Sequence, residues 1–542
     1  MHQLLAIAAL LRLVDGMPMG AVTVTARPSS TAVTTNSSNH SSTANVGVNS
    51  NACDFGAWRC NAATETLQQC AYASRESQSQ SQSQSQLAWI DLNHCGDIGM
   101  HCDAASFNCI NKASTPSGLS QLNASAVSSS FTFRPFTSPG IVAYWTQWSI
   151  YSRKQNGLTS LDLSGVTALN YAFVNTDATG ALVSFDAYAD GLNIPILNGA
   201  IRLKYPKLRS IISIGGWSGS RHFSTIAAST SLRESFAKNV HTYLDTNGFD
   251  GVDIDWEYPG GGGVTCNDMN LNDAANFALL LAALRKELGS KRSISISVSP
   301  LVSRYSANGV SYVPKYLKYA NYLQVMTYDF YGSWDSFSDF NSPLTEPSAN
   351  ASQSQPPENY ASYKKSLSHT IAINDFIKAG APASKLTNGL AFYGRAWAVQ
   401  SAKHNGLFQL CVGGSSTKAC PAITGDYLDA TAWTDACGYT SHAATWMYLN
   451  LRGASTQQTN APLTSGPTTA SSGWTRKYFG FAQSPTLYHA DTKTFISYDD
   501  PVSIQAKAAW AKKKGLGGTM IWEISQDFEG ELIRAVKVGW GK

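Results

Sequence analysis

Eight short apolar runs rich in β-branched residues, most of them followed by a helical pattern, occupy the chain from residue 141 onward. Strands that alternate with helices pair in parallel, so the pattern predicts a (β/α)8 barrel, the TIM-barrel architecture of the α/β class. An open doubly wound sheet is the main alternative, but no glycine-rich phosphate loop follows the first run. The predicted strands are residues 141–145, 168–173, 208–214, 251–257, 293–299, 322–328, 386–393 and 518–523. The predicted helices include residues 232–247, 273–288, 363–379 and 502–514.

The stretch from residue 396 to residue 498 is too long for a connection between a strand and its helix. We predict that residues 396–498 form a small α+β subdomain inserted between the seventh and eighth strands. Trp433, Trp446 and Tyr448 lie in this insertion, and packing in its core is the favoured role for each of them.

Composition divides the 542 residues into five regions. The first has a short apolar run and ends in small residues, which is the pattern of a secretory signal peptide. The second is rich in Ser, Thr, Val and Asn and predicts disorder, the third contains clustered cysteines, and the fourth is a polar linker. The fifth is the predicted barrel. In chain order, these five regions are residues 1–21, 22–52, 53–110, 111–138 and 139–540.

Ten cysteines, an even number, indicate disulfide bonds and an oxidising, extracellular environment. Six lie in the third region at spacings that do not fit the paired Cys-x-x-Cys pattern of zinc sites, so we predict a small disulfide-rich module. Cys411, Cys420 and Cys437 all lie in the predicted insertion, so we expect one of them to pair outside it, with Cys266. Four glycosylation sequons fit a secreted glycoprotein, at Asn36, Asn39, Asn123 and Asn350.

The charge pattern excludes several classes of partner. Charged residues make up 14% of the chain and the net charge is +4, without a dense basic block, so we expect no nucleic acid partner. No segment reaches the roughly 18 apolar residues of a membrane span. We expect a secreted monomer that binds a polar, uncharged ligand.

The predicted fourth strand carries four acids within eight residues, in the sequence DGVDIDWEYP at 250–259. Side chains alternate faces along a strand, so Asp253, Asp255 and Glu257 project to one side, and Asp250 falls out of phase at the start. In a barrel that side is the interior, where ionised carboxylates are costly unless they pair or share protons. We predict that Asp253 holds charge or a proton and that Asp255 exchanges hydrogen bonds with it or with a substrate. Glu257, with a raised pKa at the mouth, would donate a proton.

Aromatic residues lie at the ends of the other predicted strands. A magnesium or calcium site would need further acids at these strand ends, so the pattern argues against a metal site. They are Trp145, Phe173, Trp217, Tyr328, Tyr393 and Trp522. Aromatic faces suit sugar rings, so the acids and aromatics together predict a glycosidase with no metal and no cofactor. Trp256 and Phe249 fall on other faces and are expected to pack in the core.

The stretch DGVDIDWEYP resembles the catalytic signature DxxDxDxE of family 18 glycoside hydrolases, the chitinases. Further motifs resemble the same family in the same order: SIGGW at 213–217, MTYDFYGSW at 326–334, YGRAW at 393–397 and GGTMIWEISQD at 517–527. The resemblance covers residues 139–540 and implies a fungal-type chitinase whose substrate is chitin or chitooligosaccharides. An endo-β-N-acetylglucosaminidase acting on N-glycans and a non-catalytic chitin-binding lectin are the alternatives on the same fold.

The resemblance implies a retaining, substrate-assisted mechanism. Glu257 would donate the proton, and the N-acetyl carbonyl of the substrate would attack the anomeric carbon to give an oxazolinium intermediate. Asp255 would orient the acetamido group, and Asp253 would partner Asp255 and help to set the pKa of Glu257. Tyr328 would hydrogen-bond the acetamido group from the opposite side.

Other motif positions imply contacts with the substrate. Trp522 would form the floor beneath the distorted sugar, and Trp217 and Trp334 would stack on sugars on the leaving-group side. The residues implied to line the central subsites are Tyr144, Phe173, Met326, Asp329 and Arg395.

The cysteine-rich module resembles a small fungal chitin-binding module. That pattern places a Trp before the fourth cysteine and a Gly between the fourth and fifth, which are Trp89 and Gly96 here. A purely structural disulfide knot is the alternative. If the module binds chitin, the linker would raise the local concentration of substrate near the barrel.

Overall fold

The structure is a computed structural model that describes Phe136 and residues 138–346, 366–415 and 418–542, with five strands between Trp58 and Asn111. The chain forms two compact units, which divide between Thr115 and Pro116. The predicted signal peptide, the disordered segment, most of the linker and the four sequons lie outside the described residues.

In the N-terminal unit, the strands Trp58–Asn61, Thr66–Tyr72 and Leu87–His94 form an antiparallel sheet. A second antiparallel pair joins Met100–Asp103 to Asn108–Asn111. Trp89 lies on the third strand of the first sheet. The elements described in this unit are therefore all β-strands.

In the second unit, eight parallel strands close into a barrel, because the first strand pairs with both the second and the eighth. The predicted (β/α)8 architecture is confirmed. The strands are Gly140–Thr146, Ala168–Thr176, Arg209–Gly215, Gly251–Asp255, Ser293–Val298, Tyr322–Val325, Leu386–Ala391 and Gly518–Trp522. A short strand, Leu182–Ser184, extends the second strand as an antiparallel hairpin.

Helices surround the barrel and follow most strands. The longer ones are Ala187–Ile196, Thr230–Asn247, Asp273–Leu288, Val313–Tyr319, His369–Lys378, Pro501–Lys513 and Glu531–Trp540. Shorter helices are Ser149–Ser152, Arg202–Lys204, Gly216–Gly219 and Phe223–Ala228. The helix predicted from residue 363 begins only at His369, because the Ser368 side chain accepts the N–H of Ile371 and caps the first turn.

Alternation along each barrel strand separates two packing layers. In the fourth strand and just after it, Val252, Ile254 and Trp256 are buried in the layer between strands and helices. Asp253 and Asp255 therefore point into the barrel, as the period of two predicts. The predicted core positions of Trp256 and Phe249 are confirmed.

The segment between the seventh and eighth strands forms an antiparallel five-stranded sheet with short helices, of which one is Tyr448–Leu451. Its strands are Tyr393–Ala398, Thr445–Met447, Trp474–Phe479, Ser484–His489 and Thr494–Ser497. Trp446 and Tyr448 are buried as predicted, whereas Trp433 is 40% exposed on a small hairpin.

Two disulfides are described in this unit. Cys411 pairs with Cys420 inside the insertion, and Cys266 pairs with Cys437, which confirms the expected bridge out of the insertion. None of the described helices combines the length and apolar content that crossing a bilayer requires.

Candidate active site

Asp253 lies at the centre of the barrel and is enclosed by hydrogen-bond donors. Its Oδ2 accepts bonds from the hydroxyls of Tyr144 at 2.6 Å and Ser213 at 2.8 Å. Its Oδ1 accepts bonds from Ser295 Oγ and Gln324 Nε2, both at 2.8 Å. Burial raises the pKa of Asp253, and these bonds act against that rise. The carboxyl group is therefore a hub that ties the first, third, fifth and sixth strands to the fourth.

Asp255, two residues further along the same face, has the opposite environment. Its side chain is buried, and its Oδ1 atom has no hydrogen-bond partner. Burial is the largest cause that raises the pKa of Asp255 well above its usual value, and the charges of Glu257 and Asp253 raise it further. Asp253 thus acts on Asp255 through its charge. Of the two predicted partners of Asp255, Asp253 already accepts bonds from hydroxyl and amide donors, and Asp255 Oδ1 remains available to a substrate.

Glu257 lies just beyond the end of the fourth strand, at the mouth of the barrel. Burial raises the pKa of Glu257 to about 7, a hydrogen bond with Tyr258 lowers it, and the charge of Asp329 raises it. The backbone N–H of Glu257 donates to Ser220 Oγ at 2.8 Å. A carboxyl group with this pKa is protonated in mildly acidic solution and ionised in mildly basic solution, which suits general acid and base catalysis.

Asp250, the fourth acid of the stretch, stands apart from this set. It lies just before the strand, where its carboxylate accepts bonds from Arg202 Nη2 at 2.7 Å and the N–H of Ser210 at 3.1 Å. The prediction that it falls out of phase at the start of the strand is confirmed.

Asp329 and Arg395 form a bidentate ion pair beside Glu257. Arg395 Nε donates to Asp329 Oδ1 at 2.8 Å, and Nη2 donates to Oδ2 at 2.7 Å. The Tyr393 hydroxyl also donates to Oδ1, at 2.7 Å. The guanidinium lies over the Trp334 ring, 5.2 Å from its centroid. Asp329 and Arg395, predicted to line the central subsites, are therefore brought together with Trp334.

Aromatic rings form the floor next to the acids. The half-buried Trp522 ring stacks on Phe173 with centroids 5.7 Å apart and meets Tyr144 edge-on at 5.4 Å. Tyr144 is almost fully buried and its hydroxyl is bonded to Asp253, so it supports the site from below rather than lining its surface. Met326 is also largely buried in this aromatic cluster.

Tyr328 lies in the same cluster, and its hydroxyl contacts the sulfur of Met520 at 3.7 Å. Burial raises the pKa of Tyr328 well above its usual value, so the hydroxyl keeps its proton. It can therefore donate a hydrogen bond into the site.

Trp217 and Trp334 are the exposed aromatics of the mouth, at 42% and 46% exposure. Trp217 follows Gly215 and Gly216, which have positive φ angles of 110° and 72°. A Cβ on Gly216 would lie 2.6 Å from a Phe173 ring carbon, so glycine is required there. The exposed rings can stack on a ligand, as predicted for a sugar-binding surface.

The sequence prediction missed the residues that support the predicted ones. Ser295 and Ser297 alternate with isoleucines in the fifth strand, so a period of two could have assigned them to the interior. Glu523, the residue after Trp522, forms a buried ion pair with Arg153, with 3.4 Å between Oε1 and Nη2. Arg153 follows the first strand and is 370 positions away in sequence (523 − 153), so no local pattern could have paired them.

Within the described part of the chain, no group of three or more His, Cys, Asp or Glu side chains is placed to hold a metal ion. Asp253 and Asp329 are occupied instead by hydroxyl, amide and guanidinium donors, and Asp255 and Glu257 interact through their charges. The arrangement suits proton transfer next to a surface for a neutral, ring-shaped ligand.

Comparison with known proteins gives results that agree with this arrangement. The model of the family described as Glycosyl hydrolases family 18 matches residues 140–527, which contain all eight barrel strands. Chitinase A1 of Niallia circulans is 32% identical over 477 residues, which cover 78% of this chain and 62% of that protein. A chitinase of Flavobacterium johnsoniae is 31% identical over 453 residues, which cover 74% of this chain and 27% of that protein.

This chain therefore spans less than two thirds of the length of either relative. Among solved structures, a chitinase from Bacillus thuringiensis superposes with a TM-score of 0.60 at 28% identity. The superposition covers 74% of this chain and 70% of that one.

Proposed function

The chain belongs to the glycosyl hydrolases of family 18, and from this membership we propose that it is a secreted, fungal-type chitinase. Its substrate is a polymer or oligomer of β-1,4-linked N-acetylglucosamine. The observation that carries the proposal is the pair formed by Glu257, with its pKa raised to about 7, and Asp255, whose buried Oδ1 has no partner. The two relatives described above are chitinases, which supports the same substrate class.

Glu257 is the proton donor in this proposal. It is protonated below pH 7 and gives its proton to the glycosidic oxygen as the bond to the anomeric carbon breaks. The leaving sugar departs as a neutral alcohol across the exposed rings of Trp217 and Trp334.

The carboxyl groups of the mouth are unsuited to act as the nucleophile. Asp253 is filled by donors from four other strands, and Asp329 is held by Arg395 and Tyr393. Burial and the charges of Glu257 and Asp253 raise the pKa of Asp255 well above its usual value, which disfavours a free carboxylate nucleophile at this position. The nucleophile is therefore the acetamido carbonyl oxygen of the substrate, which bonds to the anomeric carbon and gives an oxazolinium ion.

Asp255 and Tyr328 orient the acetamido group for this attack. The unpaired Oδ1 of Asp255 accepts the acetamido N–H, and the positive charge that develops on the oxazolinium strengthens this hydrogen bond. The protonated hydroxyl of Tyr328 donates to the acetamido oxygen. Water then attacks the anomeric carbon from the side that the leaving group vacated and gives its proton to Glu257, so the configuration is retained.

The test is hydrolysis of chitohexaose by the full chain and by Glu257→Gln, with products resolved by chromatography and the first anomer identified by NMR. We expect the substitution to remove nearly all turnover, by at least about 100-fold, while binding of the oligomer persists. The first product of the wild type should be the β anomer. An initial α product would exclude retention, and an inactive wild type that still binds would favour the lectin alternative.

Release of glycans from an N-glycoprotein distinguishes the endo-β-N-acetylglucosaminidase alternative. Faster release from colloidal chitin than from the glycoprotein, at equal enzyme concentration, is expected. The opposite ranking would transfer the same chemistry to N-glycans.

The cysteine-rich module is included in the proposal as a chitin-binding module. Trp89 lies on a β-strand opposite Cys70, in a unit of β structure. Trp89→Ala should lower retention of the full chain on insoluble chitin without changing turnover of chitohexaose. Unchanged retention would leave the module a structural one.

A further inference from the structure

The Cys266–Cys437 bridge connects two parts of the chain that are 171 residues apart. Cys266 lies in the segment that follows Glu257, and Cys437 lies at the tip of the hairpin formed by Trp433–Thr434 and Thr440–Ser441. The tip is held in shape because Asp435 Oδ1 accepts the N–H groups of Cys437 and Tyr439, at 2.8 Å and 2.9 Å. The bridge therefore joins the segment after the proton donor to a defined turn of the insertion.

On the Cys266 side, the bridged segment contacts the backbone of Glu257. Asn267 Nδ2 donates to the Glu257 carbonyl oxygen at 3.0 Å. A Cβ on Gly263 would lie only 2.0 Å from the same oxygen, so the segment folds back closely on Glu257. Ser220 holds the N–H of Glu257 on its other side, at 2.8 Å. The position of the proton donor thus depends on how the segment 258–267 is held.

On the Cys437 side, the hairpin leads directly to the partners of Arg395. Arg395 Nη1 donates to Ala443 O at 2.9 Å and to Thr445 Oγ1 at 2.7 Å. The other nitrogens of the same guanidinium hold Asp329, the carboxylate whose charge raises the pKa of Glu257. Both ends of the bridge therefore connect to groups that face each other in the mouth.

The contacts from Glu257 through Asn267, the disulfide, the hairpin and Arg395 to Asp329 form a continuous connection across the top of the barrel. Glu257 follows the fourth strand, Asp329 follows the sixth, and the insertion follows the seventh, so the bridge connects separate sectors of the rim. We propose that the Cys266–Cys437 bridge and Asn267 form a positioning strap that fixes the backbone of Glu257 relative to Asp329. The strap touches no reacting atom and acts through Glu257.

The other disulfide lacks these connections. Cys411 and Cys420 are 9 residues apart and are buried in a separate cluster with Phe337 and Val399. Each disulfide includes at least one cysteine of the inserted subdomain, and removal of either takes one cross-link from the barrel unit. The Cys411–Cys420 pair is therefore a matched control for the strap.

The pH profile gives a readout that a purely structural bridge would not move. The titratable groups that face Glu257 are Asp255, Tyr258, Tyr305, Tyr328 and Asp329. When the strap opens, water reaches the carboxyl group of Glu257 and Asp329 can move away from it. Both changes lower the pKa of Glu257, so the acid form needed for catalysis is lost at a lower pH.

The experiment measures kcat, KM and their pH dependence for chitohexaose hydrolysis by the full chain. The double variant Cys266→Ser/Cys437→Ser should lower kcat by about 10-fold or more, because small displacements of a catalytic group are costly. Its basic limb should move to lower pH, while KM changes less. The control Cys411→Ser/Cys420→Ser should keep the wild-type kcat and pH profile.

Asn267→Ala is the second variant, since it breaks the contact with Glu257 and leaves both disulfides in place. It should move kcat and the basic limb in the same directions as the double variant, by a smaller amount. If it behaves as wild type, or if the double variant loses thermal stability alone, the strap has no positioning role and the inference is wrong. The inference rests on the proposed function, and the two fail separately: an inactive wild type refutes the function, and active variants with unchanged profiles refute the strap.

Discussion

Asp253 and Asp255 lie two residues apart on one strand and face the same barrel interior, but their surroundings are opposite. Asp253 accepts hydrogen bonds from the hydroxyls of Tyr144, Ser213 and Ser295 and from the amide of Gln324. Asp255 keeps a buried oxygen without a partner. The fold therefore uses one acid to join its strands and leaves the next one unsatisfied.

The difference distinguishes a carboxyl group whose oxygens are filled by the protein from one that keeps an acceptor for a ligand. Burial raises the pKa of both, but donors counteract this effect at Asp253, while the negative charges of Asp253 and Glu257 add to it at Asp255. An unsatisfied buried acceptor is costly, and such sites persist where the binding of a ligand supplies the missing partner. The acetamido N–H of the proposed substrate is a partner of this kind.

The largest effect is expected from Asp255→Asn. Hydrolysis of chitohexaose should fall by about 100- to 1000-fold, since asparagine presents a neutral amide, which cannot carry negative charge beside the positive charge of the oxazolinium intermediate. Folding should not suffer, because within the described residues the substitution breaks no bond to the Asp255 side chain oxygen Oδ1. Kinetics and chemical denaturation of the same preparation check both statements.

The pH dependence of stability sharpens this first prediction. The folded-state pKa of Asp255 is raised, so the stability it contributes is present at low pH and is lost as the pH rises toward that pKa. An asparagine cannot ionise, so Asp255→Asn should match the wild type near pH 4 and equal or exceed its stability near pH 7. A variant that is clearly less stable at pH 7 would mean that Asp255 has a structural role like that of Asp253.

Sequence periodicity could predict which acids share the interior, but not which of them would be satisfied. The alternation in DGVDIDWEYP placed Asp253, Asp255 and Glu257 together because it is a local property of one strand. The donors to Asp253 come from four other strands, so their geometry depends on the closed barrel. For that reason the sequence left open whether Asp255 bonds to Asp253 or to a substrate, and only the structure shows that donors from other strands fill Asp253.

Long-range pairs show the same limit. Arg395 reaches Asp329 from 66 residues away, and only the docking of the inserted sheet brings the two together. The bridge from Cys266 to the insertion could be predicted because cysteines can be counted, whereas its contact with Glu257 through Asn267 could not. Element bounds depended on side chains too, as the cap at Ser368 delayed the start of a helix.

The second prediction concerns the satisfied acid. Asp253→Ala leaves four donors without an acceptor in the centre of the barrel, so the free energy of unfolding should fall by about 3–5 kcal/mol. Ser295→Ala removes one donor and leaves the others, and it should cost about 1 kcal/mol. Urea denaturation compares the two variants with Asp255→Asn. If Asp253→Ala were no less stable than Asp255→Asn, the distinction between the two acids would not hold.

The smallest effect is expected from a substitution of Asp329. Like Asp253, this acid accepts hydrogen bonds at both oxygens, here from Arg395 and Tyr393, but it lies beside Glu257. The pKa of Glu257 is raised to about 7, so kcat/KM should fall as the pH rises through that value and the acid form is lost. Asp329→Asn removes a negative charge that opposes ionisation of Glu257. The basic limb should therefore move to lower pH, by roughly one unit or less. A pH series on chitohexaose measures the shift, and movement to higher pH would show that Asp329 acts on Glu257 through position rather than charge.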